Sequence, residues 1–253
     1  MPRAEREGVE ERVRIGTSGW EYAHWRGAFY PRDLPRDRWL EFYAERFDTV
    51  ELNATFYRLP EGVTFERWSR RVPADFRFAV KASRYLTHVR RLRDPGEPLE
   101  RLRARAGRLD GRLGPTLYQL PPRWRPNPER LQEFLDAIAG ERDQVIEIRD
   151  ARWYRDDILA MIERSGASLC LHDMSGSAPP PRPVGPLIYV RFHGAGQRYG
   201  GSYSAQRLAA WADRVAGWVA EGRRAWVYFN NDIGGQAVTD AARLRAYVHR
   251  RLR

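Results

Sequence analysis

Eight short runs rich in β-branched and aromatic residues recur along the chain, at Val13 to Thr17, Thr49 to Leu52, Phe76 to Val80, Thr116 to Leu120, Gln144 to Ile148, Ser168 to Leu171, Leu187 to Phe192 and Ala225 to Phe229. Their length predicts strands, and their near-continuous apolar character predicts burial on both faces. Between them, apolar residues recur at helical spacing over Arg38 to Phe47, Thr64 to Arg71, Leu99 to Leu109, Pro128 to Ile138, Asp156 to Ser165, Ser204 to Ala220 and Thr239 to Leu252. Strands alternating with helices over about 250 residues predict an α/β fold, a single TIM-type (β/α)8 barrel. An open doubly wound sheet is the rival, but no Gly-x-Gly-x-x-Gly turn follows the first run. The alternation breaks in the sixth unit, where Met174 to Pro186 holds five prolines and no helical period, so an irregular crossover is expected there.

Composition narrows this picture. Met1 to Arg12 is charged at nearly every second position and lacks the apolar stretch of a signal peptide. Residues 1–12 are therefore expected to be a solvated, flexible tail before a barrel domain over 13–253, in a cytoplasmic protein with no membrane partner. The single Cys170 excludes an intramolecular disulfide and a Cys-based zinc cluster. A net charge of +11 invites a polyanion such as nucleic acid. Much of the arginine lies in helices among Glu and Asp, however, which equally describes a solvated face in a chain with an arginine-biased composition. Of the 44 basic residues only Lys81 is a lysine, and it closes a strand-like run. Lysine is a compact donor that can lose its proton on burial and act as a base or imine-forming amine, which arginine cannot do.

In a barrel, function gathers where the strands end. Those ends are polar here: Thr17 and Ser18, Glu51 and Asn53, Lys81, Gln119, Glu147 and Arg149, His172 and Asp173, Arg191 and His193, then Asn230, Asn231 and Asp232. Alternation places Glu51 with Asn53, Glu147 with Arg149, and Arg191 with His193 on shared faces. Inward polar groups must pair with one another or with a ligand, since each unsatisfied group costs about 1 to 3 kcal/mol. Both a ligand site and an internal network of Glu–Arg and Glu–Lys pairs meet that requirement.

The stretches Gly16-Thr-Ser-Gly-Trp20, Phe29-Tyr-Pro31, Val50-Glu-Leu-Asn53 with Thr55-Phe-Tyr57, Phe78-Ala-Val-Lys81 with Thr87-His88, Gln119-Leu-Pro-Pro122, Glu147-Ile-Arg149, Arg191-Phe-His-Gly194 and Tyr228-Phe-Asn-Asn231 resemble the YecE-like family, domain of unknown function 72. The resemblance runs from about Arg14 to Leu244. It implies a TIM-type barrel and supplies no reaction.

Several chemistries can be read on these residues. Barrels often hold phosphate with the loops after strands seven and eight. Those loops, Gly194 to Ser202 and Asn231 to Gly235, are glycine-rich, and Arg198 adds charge. The glycines of a plain turn read the same way. Trp20, Tyr57, Tyr199 and other aromatics after the strands can stack a base or sugar, or close the barrel top as a second core. Glu51, Glu147, His172, Asp173 and His193 include metal-capable types, but no His-x-His or His-Glu-x-x-His spacing occurs and three cations share the mouth. No metal or cofactor is expected. A glycosidase pair from Glu51 and Glu147 is disfavoured by their separation around the barrel and their cationic neighbours.

The resulting expectation is an enzyme, a hydrolase or lyase in type, acting on an anionic, phosphate-bearing small molecule or nucleotide. Lys81, Glu51, Glu147 and His193 are its candidate catalytic groups. Asn53, Gln119, Arg149, Asp173, Arg191, Gly194, Gly196, Arg198, Tyr199, Asn230, Asn231, Trp20 and Tyr57 are its candidate substrate contacts. The alternative is a non-catalytic nucleic-acid-binding barrel using arginine and aromatic residues.

Overall fold

The computed structural model describes Gly8 and residues 12–174, 176–177, 179–196 and 199–253. Apart from Gly8 and Arg12, the expected tail lies outside the described residues, as does Arg198. Eight parallel strands close on themselves in chain order: β1 (Val13–Ser18), β2 (Thr49–Leu52), β3 (Arg77–Lys81), β4 (Leu113–Gln119), β5 (Gln144–Glu147), β6 (Ser168–His172), β7 (Leu187–Phe192) and β8 (Arg224–Phe229). The described α-helices are α1 (Trp39–Ala44), α2 (Gly62–Ser69), α3 (Gly96–Ala106), α4 (Pro128–Ala137), α5 (Asp156–Arg164), α6 (Ala205–Ala220) and α7 (Gln236–Leu252). None is long and apolar enough to cross a membrane.

Local chemistry sets the helix starts. Asn127 caps α4 by accepting the Arg130 N–H at 2.9 Å, with Pro128 at the first helical position, and Ser204 caps α6 by accepting the Arg207 N–H at 3.2 Å. No helix separates β6 from β7 among the described residues, and the proline-rich segment makes that crossover irregular.

Alternation along the strands divides the buried residues. Outward side chains form the large core beneath the helices, whereas Ala79, Leu117, Val145, Cys170, Leu187, Tyr189, Trp226 and Tyr228 fill the barrel interior as a separate apolar cluster. Two residues beyond several of these, the same faces reach the carboxyl end with polar groups, so the mouth is built directly on the interior packing. The aromatics after β1 mostly extend the core: Trp25 and Tyr30 are buried, and Tyr30 stacks on Trp39 at 4.6 Å. Trp25 donates to the Asp232 carbonyl at 3.1 Å, tying the β1 loop to the β8 loop.

Candidate functional site

Arg191 is the centre of the mouth. It rises from β7 and bridges two carboxylates from opposite parts of the barrel. Its Nη2 donates to Glu51 Oε1 at 2.7 Å, its Nε to Glu51 Oε2 at 3.0 Å, and its Nη1 to Glu147 Oε2 at 2.7 Å. Ser18 donates to Glu51 Oε1 at 2.6 Å and Tyr189 to Oε2 at 2.7 Å, and Arg149 pairs with the other oxygen of Glu147. Glu51, Glu147 and Arg191 have no solvent exposure. Burial pushes the Glu51 carboxyl up, but the Arg191 charge and the hydrogen bonds from Arg191 and Ser18 outweigh it and hold it below its ordinary value. Glu147 is likewise driven upward by burial and, more strongly, downward by Arg149 and Arg191. Both are thus carboxylates in the folded protein, with their charge committed to the guanidiniums.

Lys81 stands beside this network, 6% exposed. Its Nζ donates to Asn53 Oδ1 at 3.1 Å and lies 4.1 Å from the centre of the Phe56 ring. An ammonium has three donors, and Asn53 engages one of them. Burial, then the Arg191 charge, lowers the Lys81 pKa to about 7 against the opposing pull of Glu147 and Glu51. His88 also packs on Phe56, its ring edge-on at 4.9 Å. Burial, then Lys81, lowers its pKa to about 4, so it is neutral.

His193 projects next to Arg191. Arg149 Nη2 and Arg191 Nη1 approach its Nε2 at 2.8 and 3.2 Å, so that nitrogen accepts and the proton resides on Nδ1, which faces Asp173 Oδ1 at 3.7 Å. Burial, reinforced by the two guanidiniums, lowers the His193 pKa to about 4. Asp173 also accepts the His193 backbone N–H at 2.7 Å, the Tyr203 hydroxyl at 2.5 Å and Arg207 at 3.1 Å. A chain of polar contacts thus runs from Arg191 through His193 and Asp173 to the exposed Arg207.

The loops after β7 and β8 spend their donors internally. The Gly194 N–H donates to the Tyr203 hydroxyl, Ala195 N–H to the Gly200 carbonyl, and Gly235 N–H to the Asp232 carbonyl. Asn231 Nδ2 donates to the Gly201 carbonyl and to Asp240, whose fully buried carboxylate also accepts the Tyr203 N–H at 3.0 Å and the Ser202 hydroxyl at 2.9 Å. The protein's own carboxylate therefore occupies the ring of donors between these loops. Gly194 and Gly196 have positive φ, as does Tyr199, whose N–H donates to the His193 carbonyl at 2.6 Å.

Of the other expected contacts, Asn230 is buried and Gln119 half-buried, each with no side-chain hydrogen bond among the described residues. Trp20 is buried against Trp68 at 5.3 Å, whereas Tyr57 is 77% exposed. Two cavities open near the mouth, neither of them lined by Lys81 itself. One, of about 370 Å³, reaches Asn53 and is walled by Trp20, Tyr22, Tyr57 and Trp68. The other, of about 600 Å³, begins at His88 and is lined by Arg90, Arg91, Arg93, Arg130 and Trp124. Among the described residues no three of His, Cys, Asp and Glu gather as a metal-binding set.

Sequence reasoning placed Tyr203 among the aromatics after strand seven but did not single out Tyr189 or Asp240 as parts of the mouth. The signal for Tyr189 was present, since it precedes Arg191 by two residues and must share its face. Asp240 lies in a helical turn, and nothing local marks it as buried.

Eight parallel strands closed in sequence, with the polar chemistry at their carboxyl ends, define a TIM-type barrel protein. The chain belongs to the DUF72 family, matching "Protein of unknown function DUF72" over residues 14–253. It is 33% identical to the UPF0759 protein YecE of Escherichia coli K12 over 116 residues, which cover 46% of this chain and 43% of YecE, under half of that relative's length. The UPF0759 protein YunF of Bacillus subtilis is 23% identical over 265 residues, covering 92% of this chain and 93% of YunF. Among solved structures, a DUF72 family protein of Thermotoga maritima superposes with a TM-score of 0.83 at 28% identity, covering 92% of this chain and 98% of that one. One from Enterococcus faecalis superposes with a TM-score of 0.78 at 22% identity, covering 93% and 95%.

Proposed function

We propose that the chain is an enzyme acting on an anionic, phosphate-bearing small molecule or nucleotide at the carboxyl-terminal mouth, and that Lys81 is the side chain that meets it. The observation carrying this reading is the charge state of the mouth. The carboxylates of Glu51 and Glu147 balance the guanidiniums of Arg191 and Arg149, so the network is neutral without Lys81. A protonated Lys81 adds one charge with a single hydrogen-bond acceptor among the described residues, and burial, then the Arg191 charge, lowers its pKa to about 7. A bound anion supplies the missing countercharge; a neutral Lys81 is instead free to take a proton or attack a carbonyl carbon. Glu51 and Glu147 then act by holding Arg191 and setting the field at Lys81. His193 is neutral, its Nε2 engaged by Arg149 and Arg191, so it serves to orient those guanidiniums.

The aromatic cavity reaches Asn53, the hydrogen-bond partner of Lys81, and offers the anion its place there, and the arginine-lined cavity that begins at His88 offers room for a further phosphate. Binding of a panel of phosphate esters and nucleotides is the test, using wild type, Lys81→Arg and Lys81→Met on either side of pH about 7. Affinity is expected to fall as pH rises through that value, with proton uptake on binding above it, and to drop at least about tenfold in both variants. Binding indifferent to pH and to both substitutions would sink the assignment.

Exposed Tyr57, in the wall of the aromatic cavity, and exposed Tyr85, whose hydroxyl accepts from Arg90 of the arginine cavity at 3.3 Å, favour the second reading, a nucleic-acid-binding surface without catalysis. Its signature is oligonucleotide affinity that falls steeply with salt and ignores Lys81→Arg.

A further inference from the structure

Charge also lines the opposite end of the barrel. The parity that turns Lys81 and Ala79 inward turns Arg77 inward, and that of Trp226 and Tyr228 does the same for Arg224. Arg14 is paired in register with Trp226 and its guanidinium lies 5.6 Å from that ring. These three arginines open into a cavity of about 640 Å³ at the amino ends of the strands, whose walls also carry Arg12, Arg103 and Arg142.

We infer that this amino-terminal cavity is a second anion site, which takes an extended polyanion of the short linear polyphosphate class on Arg77, Arg142 and Arg12. Three features support it. The first is unbalanced charge: six arginines line the cavity against Asp110, Glu141 and Asp143, an excess of three, or two once Asp48, the partner of Arg14, is counted. Arg103 pairs with Glu141 and Arg224 with Asp143, whereas Arg12, Arg77 and Arg142 have no carboxylate partner among the described residues. The second is the setting of Arg77. Its Nη1 donates to the Ala74 and Phe76 carbonyls, and burial, followed by the charge of Arg14, lowers its pKa. A concave wall of excess positive charge focuses potential on whatever enters. The third is size: the volume and the spread of cations over β1, β3 and the segment before β5 exceed what one phosphate can span.

The amino end of such a barrel ordinarily serves stability, and the paired arginines here do that. The unpaired ones have no carboxylate among the described residues to neutralise their charge. The apolar cluster of Ala79, Leu117, Val145, Cys170 and Tyr189 separates this cavity from Lys81, so the two ends can be tested independently.

The experiment is calorimetric titration of tripolyphosphate and orthophosphate into wild type and into Lys81→Met, the latter to weaken any binding at the mouth. Tripolyphosphate binding is expected to persist in Lys81→Met, to exceed orthophosphate affinity, and to fall at least about tenfold when Arg142→Glu is added. Arg142 is exposed and makes no ion pair among the described residues, so reversing its charge leaves the fold intact; Arg77→Met is the second probe, checked for folding by its thermal transition. Absence of binding in Lys81→Met, equal affinity for the two phosphates, or indifference to Arg142→Glu would each overturn the site. Failure here leaves the Lys81 reading standing, because that reading is scored on pH dependence and on Lys81→Arg.

Discussion

Burial lowers the pKa of both Lys81 and His193, so each makes the fold more stable as pH rises, in two separate windows of the pH scale. Below pH about 7 Lys81 is protonated in folded and unfolded chains alike, and the folded state bears the full cost of a buried ammonium. Between about 7 and the ordinary 10.5 the unfolded chain holds a proton that the folded one has released, so stability rises with pH across that window. The rise amounts to on the order of 4 to 5 kcal/mol at about 1.4 kcal/mol per pH unit. Lys81→Met should abolish this slope in urea unfolding measured at a series of pH values; a slope unchanged in the variant would place its origin elsewhere. For His193 the folded pKa of about 4 lies below the ordinary 6.5, so stability is lost as pH falls from 6.5 toward 4. His88 adds to the same acid limb. His193→Gln should make that limb shallower.

At the scale of elements, the strand bounds were legible because buried parallel strands are written as apolar runs with polar ends. Thr49–Leu52 and Leu187–Phe192 form as expected, and the other strands and the helices shift by one to three residues at their ends. The irregular sixth crossover was equally legible from its prolines. What periodicity could not carry is conformation set by contact. Tyr85–Val89 forms a π-helix, and Arg91, Leu92 and Asp94 after it take positive φ although none is glycine. That segment walls the arginine cavity, so part of the candidate site rests on geometry with no local signature. Close approach between β1 and β2 is a further case. A Cβ on Gly16 would overlap the Thr49 carbonyl and meet the Tyr43 hydroxyl at 3.0 Å, displacing the group that accepts the Thr17 N–H. Gly16→Ala should therefore cost about 1 to 3 kcal/mol by chemical denaturation, and a neutral outcome would show that the two strands separate freely.

For the molecule as a whole, Arg191 joins β2, β5 and β7 across the barrel, a partnership between residues 140 and 44 positions apart in the chain. The sequence showed that Glu51, Glu147 and Arg191 face inward. It could not show which of them meet, because that depends on barrel closure and side-chain reach. Arg191→Met would leave the buried Glu51 carboxylate without its counter-ion while Glu147 keeps Arg149, and should cost about 3 to 5 kcal/mol, whereas Arg191→Met with Glu51→Gln should recover much of that loss. Equal destabilisation in the single and double variants would mean that the arginine's packing, rather than its charge, holds the mouth. A chain with one lysine also has a single ε-amine, and it sits where three strands' chemistry converges. A carbonyl compound trapped by hydride reduction can mark that side chain and the α-amine at the chain's start, so the part of the added mass that disappears in Lys81→Arg counts occupancy of the mouth.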